Sequence, residues 1–160
     1  MSIVSDHLQQ RGVSFEVIPH PQAFTSIEEA NALGIAADEV LKTVVLNTGT
    51  GHVLVVIPAS RRLDMNLVRD AVGDSHTRLA TEDEIQRDFA NVELGAVPPL
   101  GSLTGASTYV DPEVMTHDTV VFAAGRQTES VKVRTEDLFS GETVTVRPLS
   151  RHGDDEMPQW

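Results

Sequence analysis

Apolar residues recur along this chain in two alternating rhythms. From Ser2 to Arg11, Val4 and Leu8 stand at helical spacing and the run stops at Gly12, which predicts a short helix. Val13, Phe15 and Val17 then alternate with Ser14, Glu16 and Ile18, a strand that runs into a rigid loop at Pro19-His20-Pro21. Thr25-x-x-Glu28 and Ser26-x-x-Glu29 are overlapping capping-box patterns ahead of Ile27, Ala30 and Leu33, with Gly34 as terminator. A second helix is predicted there.

β-Branched runs from Val40 to Leu46 and from Val53 to Ile57 are joined through Thr48-Gly49-Thr50-Gly51, a hairpin whose strands are apolar on both faces and therefore central. Asp64 can cap a helix through Val72 that turns Leu67, Val68 and Ala71 inward and stops at Gly73, and Thr81-x-x-Glu84 opens another carrying Ile85 and Phe89. Residues 95 to 105 are too rich in Gly and Pro for a helix or a central strand and form a shaped loop. Strands are expected at Thr108–Val110, Thr119–Ala124, Ser130–Val133 and Thr143–Arg147, with Thr135 capping one helical turn over Glu136–Phe139. Residues 1–149 read as one domain, and Ser150 to Trp160 as a polar, frayed tail on which Trp160 could dock.

This order predicts an α+β or mixed α/β fold: one domain, a mixed and mainly antiparallel sheet or partial barrel, helices packed outside it. At 160 residues the chain is long enough for one real core. No apolar run approaches a membrane span and Met1–Asp6 lacks the character of a signal peptide, so a soluble, cytoplasmic protein is expected.

Charge and cysteine count narrow the chemistry. Twenty-four Asp+Glu against 12 Lys+Arg give a formal charge of -12, the reverse of a general nucleic-acid coat, so any nucleic-acid partner is met locally. With no cysteine, disulfides, thiolate metal sites and cysteine nucleophiles drop out together. The six histidines show no HxH, HxxxH or HExxH spacing, and GxSxG, GxxxxGK[ST] and GxGxxG are missing, so neither a metal nor a cofactor is called for. Only two lysines are present, Lys42 and Lys132.

Several positions carry two readings. The 95–105 loop is either a surface turn or a backbone scaffold whose amides face a substrate. Lys42, at the start of an apolar strand, either reaches a solvated rim or meets an anion. Lys132 and Arg134 share a strand face that is either solvated or contacts phosphate; with Lys42, Arg61 and Arg62 they could gather into one anion-reading surface. Ser130 stands just before its strand and Asp137 just after it.

Together, His20-Pro21…Thr25…Glu28-Glu29-Ala30, Leu41-Lys42-Thr43, Arg61-Arg62-Leu63-Asp64, Gly95-x-x-Pro98-Pro99-x-Gly101 and Gly125…Ser130-Val131…Asp137-Leu138 resemble the YbaK/prolyl-tRNA-synthetase-associated domain family of aminoacyl-tRNA editing enzymes, over roughly residues 3 to 148. The resemblance implies a freestanding trans-editing deacylase that hydrolyses the ester of a small amino acid mischarged on a tRNA, tRNA-Pro among the candidates. It implies that Lys42 holds the terminal nucleotide's phosphate and that the loop of Gly95, Pro98, Pro99 and Gly101 positions the aminoacyl carbonyl. His20, Phe24, Thr25, Ser130 and Asp137 match positions around the pocket. The implied partner is the CCA end of a tRNA, with an aminoacyl-tRNA synthetase as a further partner and no membrane. An activated ester needs only a positioned water and preorganised backbone groups, which fits a chain without triad or cysteine. The alternative is a binding module of the same fold that grips an aminoacyl or nucleotide end without turnover, and a third reading is a homologue that has lost tRNA contact.

Overall fold

A computed structural model describes residues 3–152. Helix α1 (Ile3–Gln10) leads into strand β1 (Phe15–Pro19) and helix α2 (Ser26–Leu33). Thr25 caps α2 by accepting the Glu28 amide, and Gly34, at φ 68°, closes it. Strands β2 (Leu41–Thr48) and β3 (Gly51–Pro58) form the expected hairpin, in register from Leu41↔Pro58 to Thr48↔Gly51, so Gly49-Thr50 is a two-residue turn. Strand β4 (Arg61–Leu63) precedes α3 (Met65–Val72), capped by Asp64, and β5 (Arg78–Leu79) precedes α4 (Glu82–Asp88), which carries a complete Thr81/Glu84 capping box. The second half supplies β6 (Thr108–Val110), β7 (Thr119–Ala123), β8 (Glu129–Arg134), α5 (Thr135–Ser140), β9 (Val144–Val146) and β10 (Ser150–His152).

Among the described residues these strands make a five-stranded sheet, β5-β2-β3-β6-β9, a three-stranded sheet, β1-β8-β7, and the pair β10-β4. Antiparallel ladders dominate; only β3–β6 and β6–β9 are parallel, and no sheet closes into a barrel. The hairpin is central because both of its faces are covered. Val55, Ile57 and Leu46 face α3 through Val68, while Val45 and Leu54 face α4 through Phe89. The largest cluster joins Val4 and Leu8 of α1 to Phe122, Val131 and Leu138 across the small sheet. Burying such side chains stabilises by roughly 1.5–3 kcal/mol each.

Two local expectations give way to long-range contacts. Thr135 does not cap α5: Arg134 holds that position without a side-chain cap, and the Thr135 hydroxyl instead donates to the His117 carbonyl at 2.6 Å. The tail does not fray from Ser150. Ser150–His152 pair antiparallel with Leu63–Arg61, and the Ser150 hydroxyl accepts from Arg61 Nε (2.7 Å) and donates to the buried Asp111 carboxylate (2.8 Å). The body of the domain thus runs through His152, and the expected docking of Trp160 lies outside the described residues.

Candidate active site

A gap in the large sheet positions the site. Strand β5 pairs with β2 only at Leu46 and Asn47, and at the other end Val40 bridges to Val121 of β7. Between these anchors Lys42, Thr43 and Val44 pair with β3 on one side alone. The Val45 carbonyl accepts from the Ala80 amide (3.0 Å), so odd residues of β2 turn their backbone toward the gap, and by the two-residue strand period Thr43 does the same.

The gap opens into a cavity of about 540 Å³, within the range of small-molecule sites. Its walls are Leu41–Val45 and Ala59 on the hairpin, Ala123 on β7, Leu79, Ala80 and Ile85 on the β5–α4 side, and Phe24–Ile27, Glu29, Gly95 and Val97 around the entrance. Phe24, Ile27 and Leu79 are 55%, 45% and 55% exposed, an apolar rim left open to solvent. Lys42 is the cation in this lining; it is exposed and has no hydrogen bond or ion pair among the described residues. Beside it, the buried Thr43 hydroxyl also lacks a partner.

The entrance loop is held by backbone amide–carbonyl bonds together with the Glu93 and Gln127 side chains. His20 and Ala23 amides donate to Thr128 and Gln127 carbonyls (2.9 and 2.8 Å), Gln127 donates to Glu93 Oε1 and the Leu94 carbonyl, and the Glu93 and Gly125 amides bond Gly125 and Ala96 carbonyls. Gly95, at φ 79°, passes so close to Phe24 that an added Cβ would run into the Phe24 carbonyl oxygen. Only glycine fits this crossing.

Beneath the entrance lies a buried carboxyl. Glu29 is 4% exposed and accepts a short hydrogen bond from Ser130, itself fully buried, while Ser130 Oγ also meets His20 Nε2 at 2.8 Å. Burial pushes the Glu29 carboxyl up to about 7, against the lowering effect of the Ser130 bond. His20 Nδ1 bonds the Pro21 carbonyl at 2.8 Å.

The cavity therefore brings together Lys42, Phe24, Thr25 and Gly95 directly, and Ser130 and His20 through Glu29. Pro98 and Pro99 are buried behind the loop and Gly101 packs against Ala106 and Thr108; none of the three lines the cavity. Asp137 is elsewhere, on α5, its side chain 46% exposed and 3.9 Å from Arg134. Arg61 lines a separate polar hollow with Asp38, Glu113 and His117, and neither Arg62, Lys132 nor Arg134 lines the Lys42 cavity, so the five cations do not gather in it. Glu29 and Thr43 are the members that sequence reasoning passed over. The signal for Glu29 is its position on the Ser26/Glu29/Ala30/Leu33 stripe of α2, a carboxylate on the face that carries the inward Ala30.

A sequence profile described as the aminoacyl-tRNA editing domain matches residues 20–140. The prolyl-tRNA editing protein ProX of Acetoanaerobium sticklandii is 28% identical over 107 residues, 65% of this chain and 64% of that protein. The proline–tRNA ligase of Fervidobacterium nodosum is 26% identical over 99 residues, 62% of this chain but 17% of the ligase. The chain thus spans under two thirds of the length of both. A crystal structure provisionally described as a trans-editing enzyme for prolyl-tRNA synthetase superposes with a TM-score of 0.82 at 24% identity, covering 94% of this chain and 99% of that one; the fold is shared.

Proposed function

The chain belongs to the aminoacyl-tRNA editing domain family, and on that footing we propose that it is a freestanding trans-editing deacylase, hydrolysing the ester between a small, wrongly attached amino acid and the 3′ end of a tRNA in the cytoplasm. The observation that carries this reading is Lys42: an ammonium without a partner among the described residues, at an open strand edge, on the wall of an apolar cavity whose entrance is held largely by backbone hydrogen bonds.

Each part has a chemical use. Lys42 meets a phosphate of the terminal nucleotide as a point charge, and the exposed Phe24 ring offers a stacking face for a base. Leu41, Val45, Ile85 and Val97 line the apolar interior that receives a short side chain. The Gly95 crossing holds the entrance so that the ester carbonyl and an attacking water meet in one geometry, an effect that in favourable cases lowers barriers by roughly 7–11 kcal/mol. The acidic surface restricts contact to the tRNA end, because a chain of charge -12 repels the remaining phosphates. The ProX relative suggests tRNA-Pro as the carrier.

The experiment is a panel of tRNAs mischarged with Ala, Ser, Cys, Thr or Pro, with release of the amino acid measured against the uncatalysed blank. Hydrolysis of at least one member is expected, and Lys42→Ala should remove it while leaving the urea midpoint unchanged. Tight tRNA binding without turnover would select the non-catalytic binding module, and no binding even at low salt would refute both.

A further inference from the structure

The contacts around Ser130 impose a proton count. A serine hydroxyl carries one hydrogen and donates once, yet Ser130 Oγ is in hydrogen-bond contact with both Glu29 Oε2 and His20 Nε2. The Pro21 carbonyl can only accept, so His20 Nδ1, 2.8 Å away, is protonated. With a single proton shared between the two ends, two arrangements satisfy every contact. In one, Glu29 is a carboxylate accepting from Ser130, which accepts from Nε2–H of a cationic His20. In the other, Glu29 carries the proton and donates to Ser130, which donates to Nε2 of a neutral His20. The two differ by one proton at each end, moved through the hydroxyl.

This chain has an inner and an outer terminus. Glu29 lines the cavity, and the described residues give its second oxygen, Oε1, no partner. His20 sits in the half-buried loop between β1 and α2, at the surface. The other groups packed against α2 leave Glu29 to these partners. Strand β7 carries no titratable side chain there, the 3-10 turn Ala37–Glu39 carries Asp38, which accepts from Ser60, and Glu39, both exposed, and Lys42 shares the cavity. Glu28 turns away and accepts the Phe24 amide at 2.8 Å.

We propose that Glu29, Ser130 and His20 form a single-proton relay from the cavity to the surface, with Glu29 as the acid–base residue of ester hydrolysis at the Lys42 site. The proposal rests on the deacylase reading for its substrate. Passing the proton to His20 leaves Glu29 as carboxylate. Glu29 Oε1 then takes a proton from water as the water oxygen bonds to the ester carbonyl carbon and the C=O pair moves onto oxygen. When that pair returns, the bond from carbon to the 3′ oxygen breaks, and the 3′ oxygen leaves with its electrons and receives the proton from Glu29. Water and ester become a carboxylic acid and a 3′-hydroxyl; the acid ionises to solvent and Glu29 is again a carboxylate. A carboxyl poised near neutrality suits both halves of this exchange.

Two measurements test it, one without substrate. In the free protein, side-chain NMR of His20 should show a proton held at Nδ1, and Glu29→Gln, which can no longer exchange the shared proton, should change the protonation signature of Nε2. An unchanged Nε2 signature in Glu29→Gln overturns the relay. With whichever mischarged tRNA the protein hydrolyses, the rate should rise through a neutral midpoint. Glu29→Gln should lower it about 100-fold and flatten the profile, and Glu29→Asp should restore the midpoint at a reduced rate. A folded Glu29→Gln that keeps both rate and profile overturns the catalytic role. If the native protein hydrolyses no member of the panel, the deacylase reading falls, and the NMR comparison alone decides whether the proton is shared.

Discussion

Gly95→Ala separates two costs that usually arrive together. Gly95 and Gly73 both stand at φ 79°. At Gly73, the cap of α3, a Cβ would meet nothing within 4 Å, so Gly73→Ala reports only the left-handed conformation, about 1–2 kcal/mol, less about 0.4–1 kcal/mol regained from a stiffer unfolded chain. At Gly95 the same Cβ would run into the Phe24 carbonyl oxygen and stand 3.2 Å from its carbon. That backbone leads directly into Thr25, the cap of α2, and cannot swing aside as a flexible side chain would. Overpacking of this kind adds roughly 1–3 kcal/mol. Gly95→Ala should therefore cost about 1–3 kcal/mol more than Gly73→Ala, read as the difference between urea midpoints at a common slope. Because the displaced segment is the cavity entrance, deacylation should also fall by about 100-fold, the scale of a 1 Å misplacement, while Gly73→Ala stays near the native rate. Equal destabilisation by the two substitutions, with equal activity, would refute the close crossing as the element that fixes the entrance.

Other outcomes follow from buried charge and buried hydroxyls. Arg11 bonds Glu142 Oε2 (2.9 Å) and the Leu138 carbonyl (2.9 Å), and the Glu142 side chain is fully buried and also takes the Ser102 amide and hydroxyl. Arg11→Met should cost about 2–4 kcal/mol in urea unfolding, and a loss below 0.5 kcal/mol would show this clamp to be dispensable. Glu29 is held near 7 when folded against 4.5 in its ordinary state, so between those values the folded chain binds the extra proton. Stability should then decline as pH rises across that window, by about 3 kcal/mol at most. Glu29→Gln should flatten the decline between pH 5 and pH 8, and an unchanged slope would place its cause elsewhere. Thr43→Val replaces an unpartnered buried hydroxyl with a methyl of similar volume; thermal unfolding should show stability unchanged or raised by about 1 kcal/mol, and a loss above 1 kcal/mol would mean that the hydroxyl has a native partner.

What was legible in the sequence was what neighbours decide. The caps Thr25, Asp64 and Thr81 lie within three residues of the amides they satisfy, so α2, α3 and α4 could be placed from local pattern alone. The two-sided apolar runs of β2 and β3 announced a hairpin covered on both faces. Strands β4 and β10 were invisible because Arg61-Arg62 and Ser150-Arg151 have no apolar alternation; their pairing depends on each other and on Asp111. Thr135 obeys the capping rule in sequence, but instead of accepting from a helix amide its hydroxyl donates to the carbonyl of His117, 18 residues away. The site divides in the same way. Lys42 and Gly95 stood out for residue type and place, whereas Glu29 looked like half of a capping box until Ser130, 101 residues on, claimed its carboxylate. Asp137 matched in order along the chain and still lies apart from the cavity, because α5 carries it away from the end of β8.

The one-sided stretch of β2 has a consequence for solubility. A strand edge that shows free donors and acceptors is a template for pairing with another chain, and proteins commonly protect such edges with a charged residue, lysine above all. Lys42 occupies that edge, with the apolar Phe24, Ile27 and Leu79 around it. Its ammonium is therefore placed to act as a gatekeeper of this edge, in addition to the anion contact proposed for it. Removing it should favour concentration-dependent self-association through β2, and an occupied cavity should suppress that association by covering the same edge.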